Sequence, residues 1–371
     1  MSLVGKGIVR VALVVGLIGV AVAGCSGTDV DTGGGPTSTW ELTWSDEPPF
    51  RPAASYLVDA SLGDMWVVQN RTGTELPDAP AFAARRGDGK WAALPNPPEP
   101  YESVALASVA GEVVLGGVVC DDPSECVSGH TEWSTLADDL TSWNVLDADL
   151  AFDNDREAVI TSMPGRHDVG VFSTPSGRVV IDAEHSVRPI PSNTGGAMGD
   201  GAACIIGTTL FETFAAYTNL EGSDISGAIG YAQPTMSTLD LSDPTAEWTA
   251  APPPPDGTVG LEAACLTNGV LFVDNGVESV LDLTTTTWAT RTDPAGALLA
   301  GRNLEPGGAS SALTGDGTLY LLTGLGFPVL RRSTDGTWSD TGVNATSVAS
   351  TEAIALALNI DQPDVTEIPP T

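Results

Sequence analysis

The sequence has very few basic residues. Lysine and arginine together number 15, against 48 aspartate and glutamate residues, so the chain carries a formal net charge of −33. Beyond Lys6, the one lysine is Lys90. A chain this acidic is repelled by nucleic-acid phosphates and by anionic lipid. The composition therefore argues against nucleic-acid binding and against electrostatic attachment to a membrane.

Histidine and cysteine are also scarce, with three and five residues. There is no C-x-x-C pair, and His167 and His185 lie in separate predicted turns that should not converge. The acidic segment 147–157 lacks the glycine and glutamate spacing of an EF-hand and reads as a solvated loop. No nucleophile beside a base stands out. We therefore expect no metal site, no cofactor and no identifiable catalytic residue.

The N-terminus has the pattern of an export signal. Lys6 and Arg10 are followed by an apolar run over 11–23 that is too short to span a bilayer comfortably. The sequence VAGC ending at Cys25 resembles the lipobox of bacterial lipoproteins. This resemblance implies a signal peptide over 1–24, acylation of Cys25, for example with palmitate, and an extracytoplasmic protein held at the cell membrane through that lipid alone. An ordinary secretory signal is the alternative.

Residues 25–38 are rich in glycine, serine and threonine, which predicts a flexible tether after the lipidated cysteine. The abundance of alanine, glycine, threonine and aspartate resembles the composition of secreted actinobacterial proteins. The ordinary apolar content of 42% predicts a folded domain after the tether. We place this domain at 39–360 and a C-terminal tail at 361–371.

The folded part lacks long helical periodicity. Short alternating runs of valine, leucine, threonine and alanine, separated by glycine, aspartate and proline, predict strands. A tryptophan that precedes a proline recurs about every fifty residues, which is the length of one four-stranded propeller blade. These tryptophans, with a diverged copy near Ile190, are Trp44, Trp91, Trp143, Trp248, Trp288 and Trp338. The pattern predicts an all-β protein, a single β-propeller in which each tryptophan packs between neighbouring sheets.

Six four-strand units can be assigned between residues 52 and 342. Two segments remain, an outer-type strand around 37–46 and an inner-type strand over 351–359. They complement each other, so we expect a seventh blade built from both chain ends that closes the ring. A six-bladed ring with the ends layered on existing blades is one alternative, and a β-sandwich array is another.

The run GEVVLGG, from Gly111 to Gly117, is followed by a polar turn, a tryptophan and a proline. This arrangement resembles kelch repeats, and the resemblance extends loosely over the chain after Trp40. It implies a kelch-like propeller. In that alignment Cys204 and Cys265 occupy equivalent positions of adjacent inner strands, where either a disulfide or a pair of buried thiols fits. Cys120 and Cys126 flank a short loop that we expect a disulfide to close.

Glutamates recur at the predicted start of the innermost strands, which surround the propeller axis. These residues are Glu102, Glu157, Glu262 and Glu352. Five further residues are expected near the same channel mouth: Arg51, Tyr101, Arg156, Arg302 and Glu305. A ring of carboxylates and guanidiniums could hold a sugar, another polar ligand or a hard cation. The alternative is ion pairing between neighbouring blades.

The function that these observations favour is binding, by a monomer, of a protein or an envelope glycan through the loop-rich face of the ring. One alternative is a carbohydrate-active enzyme, a hydrolase or lyase that uses the glutamates and arginines at the channel mouth. Another is a structural factor in envelope assembly.

Overall fold

The structure is a computed structural model. It describes residues 41–47, 49, 56–62, 65–70, 81–122, 126–153, 158–163, 166–193, 201–214, 217–219, 229–231, 235–255, 264–274, 277–292, 298, 310–323, 327–345, 347–350, 355–358 and 365–368. Within these ranges the fold is built from strands. No helix in the described residues is long and apolar enough to cross a membrane.

The first three blades are antiparallel sheets in which consecutive strands pair from the ring axis outward. Blade one contains β1 (Tyr56–Leu62), β2 (Met65–Asn70), β3 (Phe82–Arg86) and β4 (Trp91–Ala93). Blade two contains β5 (Ser103–Val109), β6 (Glu112–Cys120), β7 (Ser128–Leu136) and β8 (Trp143–Val145), and β9 (Leu150–Asp153) also pairs with β7. Blade three contains β10 (Thr161–Ser162), β12 (Gly170–Thr174), β13 (Gly177–Ile181) and β14 (Val187–Pro189), while β11 (Arg166–His167) pairs in parallel with β5.

The next three blades follow the same order. Blade four contains β15 (Gly201–Ile206), β16 (Thr209–Phe214), β19 (Thr235–Asp240) and β20 (Thr249–Ala250), with a hairpin of β17 (Tyr217–Asn219) and β18 (Ile229–Tyr231) between its second and third strands. Blade five contains β21 (Ala264–Leu266), β22 (Gly269–Asp274), β23 (Val277–Asp282) and β24 (Thr287–Thr292). Blade six contains β25 (Ser310–Leu313), β26 (Leu319–Leu322), β27 (Pro328–Arg332) and β28 (Trp338–Asn344).

A smaller three-stranded sheet follows the sixth blade. It consists of β29 (Ser347–Ser350), β30 (Ala355–Leu358) and β31 (Val365–Ile368). Its first strand, β29, lies beside β25 of blade six and β1 of blade one. The ring is therefore closed by C-terminal strands that pair with one another. The segment 361–371, predicted as a C-terminal tail, contains this last strand, β31.

The N-terminal segment lies on blade one instead. Ser45 and Trp91 exchange two backbone hydrogen bonds of 2.8 Å, so the segment covers the outer edge of β4. The guanidinium of Arg86 stacks on the ring of Trp44 at 4.0 Å. The described residues thus form six four-stranded blades, the number in the alternative stated above, and not seven. The expected shared blade is wrong because each chain end finds its own partner strands.

The core lies between adjacent sheets. Between blades two and three, Trp133 meets Phe172 edge-on with ring centroids 4.9 Å apart. The glycine doublet, Gly116 and Gly117, lies on β6 of blade two. A large side chain packs against each of these glycines, on opposite faces of the strand. A Cβ atom on Gly116 would stand 2.6 Å from Trp133, and one on Gly117 would stand 2.4 Å from Tyr101. Glycine is therefore required at both positions.

Strand direction gives the ring two different faces. On one, here called the lower face, the third strand of each blade turns into the fourth. In all six blades an aspartate closes this turn by accepting the backbone N–H two residues later. These residues are Asp88, Asp139, Asp182, Asp240, Asp282 and Asp335. The other, the upper face, carries the connections between second and third strands and the start of each inner strand.

Candidate functional site

Two of the predicted mouth residues, Tyr101 and Glu102, belong to the described part of the chain. The others lie outside it: Arg51, Arg156, Glu157, Glu262, Arg302, Glu305 and Glu352. Within 351–359 the structure describes β30 (Ala355–Leu358), which is the middle strand of its sheet, so the assignment of this segment to an innermost strand is wrong.

Tyr101 and Glu102 stand at the upper face, directly before the inner strand β5. The backbone N–H of Glu102 donates to the carbonyl oxygen of Val118 at 2.9 Å, and the Glu102 side chain is exposed. The ring of Tyr101 is half-buried over Gly117. The hydroxyl of Tyr101 donates to Oε2 of Glu132 at 3.2 Å. The two predicted neighbours therefore differ, since one side chain faces solvent and the other is held by β7.

Glu132 links Tyr101 to a histidine. His130 and Glu132 lie two residues apart on β7 and so project from the same face of the sheet. Nε2 of His130 is 3.1 Å from Oε1 of Glu132. Burial, and then the negative charge of Glu132, raise the pKa of the Tyr101 hydroxyl far above its ordinary value. Strand alternation could have revealed this pair, but the choice of inner-strand glutamates passed over it.

The Tyr101–Glu132–His130 cluster is held together by hydrogen bonds. Both oxygens of Glu132 have partners, one the Tyr101 hydroxyl and the other Nε2 of His130. A third of the His130 side chain remains exposed, so its ring can meet a ligand. The second histidine with a described side chain, His185, pairs with Glu112 of the neighbouring blade at 2.7 Å. No cluster of metal-ligating residues occurs among the described residues.

Buried carboxylates join neighbouring blades elsewhere in the ring. Glu278 of blade five is fully buried and accepts hydrogen bonds from Arg332 at 2.9 Å and from the indole of Trp338 at 2.6 Å, both in blade six. Glu212 of blade four is buried against Arg178 of blade three. Burial lowers the pKa of Arg178.

A further pair joins blade one to the C-terminal sheet, where Arg85 donates to Glu367 at 2.8 Å. Its guanidinium also lies 5.4 Å from the ring of Trp66. The three pairs Glu278–Arg332, Glu212–Arg178 and Arg85–Glu367 lie on second and third strands and hold adjacent sheets together. Pairing of the glutamates predicted at the channel mouth stays a prediction, since of these only Glu102 belongs to the described part of the chain.

Both disulfides are formed. Cys120 and Cys126 close the loop between β6 and β7 with Cα atoms 5.0 Å apart, as predicted. Cys204 and Cys265 join the inner strands of blades four and five with Cα atoms 5.6 Å apart, which decides between the two possibilities that the sequence left open. The first bond shapes an upper-face loop, and the second ties two blades together near the axis.

The upper face carries the features that the blades do not share. They are the disulfide loop, the extra strand β9, and the β17–β18 hairpin within the connection 215–234. Three exposed large apolar side chains also lie there: Val127, Val159 and Phe327. The fourth in the described part, Val145, lies on the outer strand β8. These three side chains come from three different blades, so the upper face is irregular, whereas the turns of the lower face repeat.

No protein-family model matches the chain, and no curated protein matches it in sequence. Among solved structures, YCF48 bound to D1 peptide is similar with a TM-score of 0.49 and 13% identity, over 91% of this chain and 97% of that one. The β-propeller domain of Cps50 (Swd1) from Myceliophteria thermophila is similar with a TM-score of 0.46 and 10% identity, over 85% of this chain and 99% of that one. Each similarity is weak, so the fold assignment rests on the sheet topology.

Proposed function

We propose that the protein is an extracytoplasmic binding module, held at the cell membrane by an acylated Cys25, and that it binds a protein or an envelope glycan through its upper face. The observation that carries this proposal is the difference between the two faces. In every blade the lower-face turn contains an aspartate that accepts a backbone hydrogen bond. The upper face instead carries the disulfide loop, the β17–β18 hairpin and exposed apolar side chains.

The Tyr101–Glu132–His130 cluster supports binding more than catalysis. It offers an imidazole and a phenol ring at the rim of the upper face, while its carboxylate is already shared by two neighbours. A glycoside hydrolase of the usual two-carboxylate kind would need a carboxyl group free to transfer a proton or attack the substrate. The cluster therefore favours a ligand held by hydrogen bonds and ring contacts, such as a sugar or a polar loop of a protein.

Crosslinking pull-down from intact cells, together with a glycan array, tests this proposal. We expect one partner class to be captured, and we expect replacement of 217–231 by a short glycine–serine linker to weaken capture at least tenfold. The matched control replaces the lower-face turn 283–286, which should leave capture unchanged. Equal loss in both variants, or loss in the control alone, would overturn the assignment of binding to the upper face.

The lipid anchor is tested separately with a Cys25→Ser variant. We expect loss of incorporated radiolabelled palmitate and release of the folded domain from the membrane fraction. Retention of label or of membrane association in this variant would contradict the proposed anchor while leaving the binding proposal intact.

A further inference from the structure

The outer edge of blade five is unusually long and open. β24 pairs with β23 over all its residues from Thr287 to Thr292, and five of these six side chains are exposed, Trp288 being half-buried. No strand in the described ranges pairs with its other edge. Natural sheets protect such edges with proline, charged side chains, a bulge or a covering segment. The sequence TWATRT has neither proline nor lysine, Arg291 is its one charged residue, and the pairing has no register shift.

The other described outer strands differ from β24. β4, β8, β14 and β20 have three residues or fewer, and β4 is further covered by the N-terminal segment. β28 is long, but its pairing with β27 has a register shift between Pro328 and Leu330. Within the described residues, β24 thus lacks the short length, covering segment or register shift that the other outer strands have.

Blade one shows how an outer edge of this ring accepts an extended segment. There Trp91, which lies opposite Arg85 of the third strand, directs its N–H and C=O outward and exchanges both hydrogen bonds with Ser45. Trp288 has the equivalent place, opposite Leu281 of the third strand. Because backbone groups alternate along a strand, Trp288, Thr290 and Thr292 should present their N–H and C=O groups at the free edge.

The charge around this edge favours binding of a basic segment. Arg291, the basic residue of β24, is already engaged, since it donates to the carbonyl oxygen of Gly336 at 3.1 Å and lies 3.7 Å from Glu278. Asp282, opposite Thr287 at the lower end of the strand, and Asp335 of the neighbouring turn are exposed. With a chain charge of −33, a basic segment is attracted and a second copy of this chain is repelled.

We propose that the outer edge of β24 is a docking site for an extended, basic segment of a partner protein, which adds to blade five as a fifth strand. Main-chain hydrogen bonds from Trp288, Thr290 and Thr292 give this site its affinity, and the acidic surroundings select the charge of the segment. The site lies on the rim of the ring and is separate from the upper face.

A titration with two capped hexapeptides tests this site. The probe alternates threonine and lysine, and its matched control alternates threonine and glutamate. We expect the basic peptide to slow amide hydrogen exchange at Trp288, Thr290 and Thr292, and the acidic peptide to bind at least tenfold more weakly. Equal binding of both peptides, or no protection of these amides, would overturn the proposal.

Thr290→Pro removes one outward N–H and leaves the bonds to β23 in place, so the blade should still fold. We expect it to weaken binding of the basic peptide at least tenfold. Thr290→Val keeps the N–H and should bind the peptide as tightly as the unmodified protein does. Thr292→Pro at the strand end is the second variant if Thr290→Pro fails to fold. Unchanged peptide binding in a folded proline variant would overturn the proposal. The proposal would also be overturned if these amides were protected from exchange without peptide and the protection increased with protein concentration. A second copy of the chain would then occupy the edge.

Discussion

The indole N–H of Trp248 in blade four donates a hydrogen bond of 2.8 Å to the carbonyl oxygen of Pro191 in blade three. Two other outer-strand tryptophans make the same bond to a proline of the preceding blade, Trp143 to Pro95 and Trp288 to Pro252. The recurring tryptophan and proline are therefore two halves of one joint between blades. The sequence pattern therefore recurs because these contacts join neighbouring blades, and not because it binds a ligand.

Trp248→Phe keeps most of the ring and removes the donor. We expect it to lower the free energy of unfolding by about 1 kcal/mol, the usual net contribution of one hydrogen bond. Urea unfolding followed by circular dichroism measures this. Trp248→Ala, which also removes the half-buried ring, should cost more, about 2 kcal/mol. Equal effects of the two substitutions would show that the hydrogen bond, and not the ring, dominates.

Glu278→Ala should be far more damaging than a surface change. It leaves the guanidinium of Arg332 and the indole of Trp338 without their buried partner, so we expect a loss of about 3 to 5 kcal/mol. The matched control is Asp46→Ala, which breaks the exposed pair with Lys90 and should cost less than about 1 kcal/mol. A loss at Glu278 no larger than at Asp46 would contradict a structural role for the buried pair.

The two disulfides should contribute differently to stability because they close loops of different length. The Cys204–Cys265 bond spans 61 positions and the Cys120–Cys126 bond spans six. Chain entropy then predicts that removing the first by paired serine substitutions costs about 4 kcal/mol, and removing the second about 2 kcal/mol. Thermal and urea unfolding of the two double variants give the comparison. The reverse order of stability would contradict this reading.

Acid should weaken the lower-face turns. Hydrogen bonds from Ser333 and then from the backbone of Thr337 lower the pKa of Asp335 from 3.8 to about 2. A carboxylate with a lowered folded pKa stabilises the fold above its unfolded pKa, and this contribution is lost as pH falls through the folded value. We expect the melting temperature to fall between about pH 4 and pH 2, and less steeply in Asp335→Asn. Ser333→Ala should reduce the slope in part; an unchanged slope in both variants would contradict the assignment.

Much of the ring could be predicted from the sequence because strand alternation and the tryptophan spacing are local signals. The six four-strand units assigned between residues 52 and 342 correspond to the six blades, whose strands run from Tyr56 to Asn344. The chain ends were harder. Ser347–Ser350 is short and polar, so the more apolar 351–359 looked like the innermost strand. The partner of Ser45 is decided by which outer edge is open, and a sequence pattern does not contain that information.

The polar contacts between blades were less accessible than the strands. Glutamate is usually exposed, so nothing in the sequence around Glu278 marks it as fully buried. The equivalent positions of Cys204 and Cys265 predicted that the two residues lie close together. The sequence does not give the distance between adjacent inner strands, so it could not decide whether a disulfide forms. Tyr101 was chosen for its place before β5, whereas its partner Glu132 comes from a strand farther from the axis.

Site-specific photo-crosslinking in intact cells tests most directly where the protein binds. A photoreactive amino acid replaces Val127 on the upper face in one variant and Thr285 on the lower face in the other; the side chains of both are exposed. We predict adducts with a partner from position 127 and none from position 285. Adducts from position 285 alone would contradict an upper-face binding function.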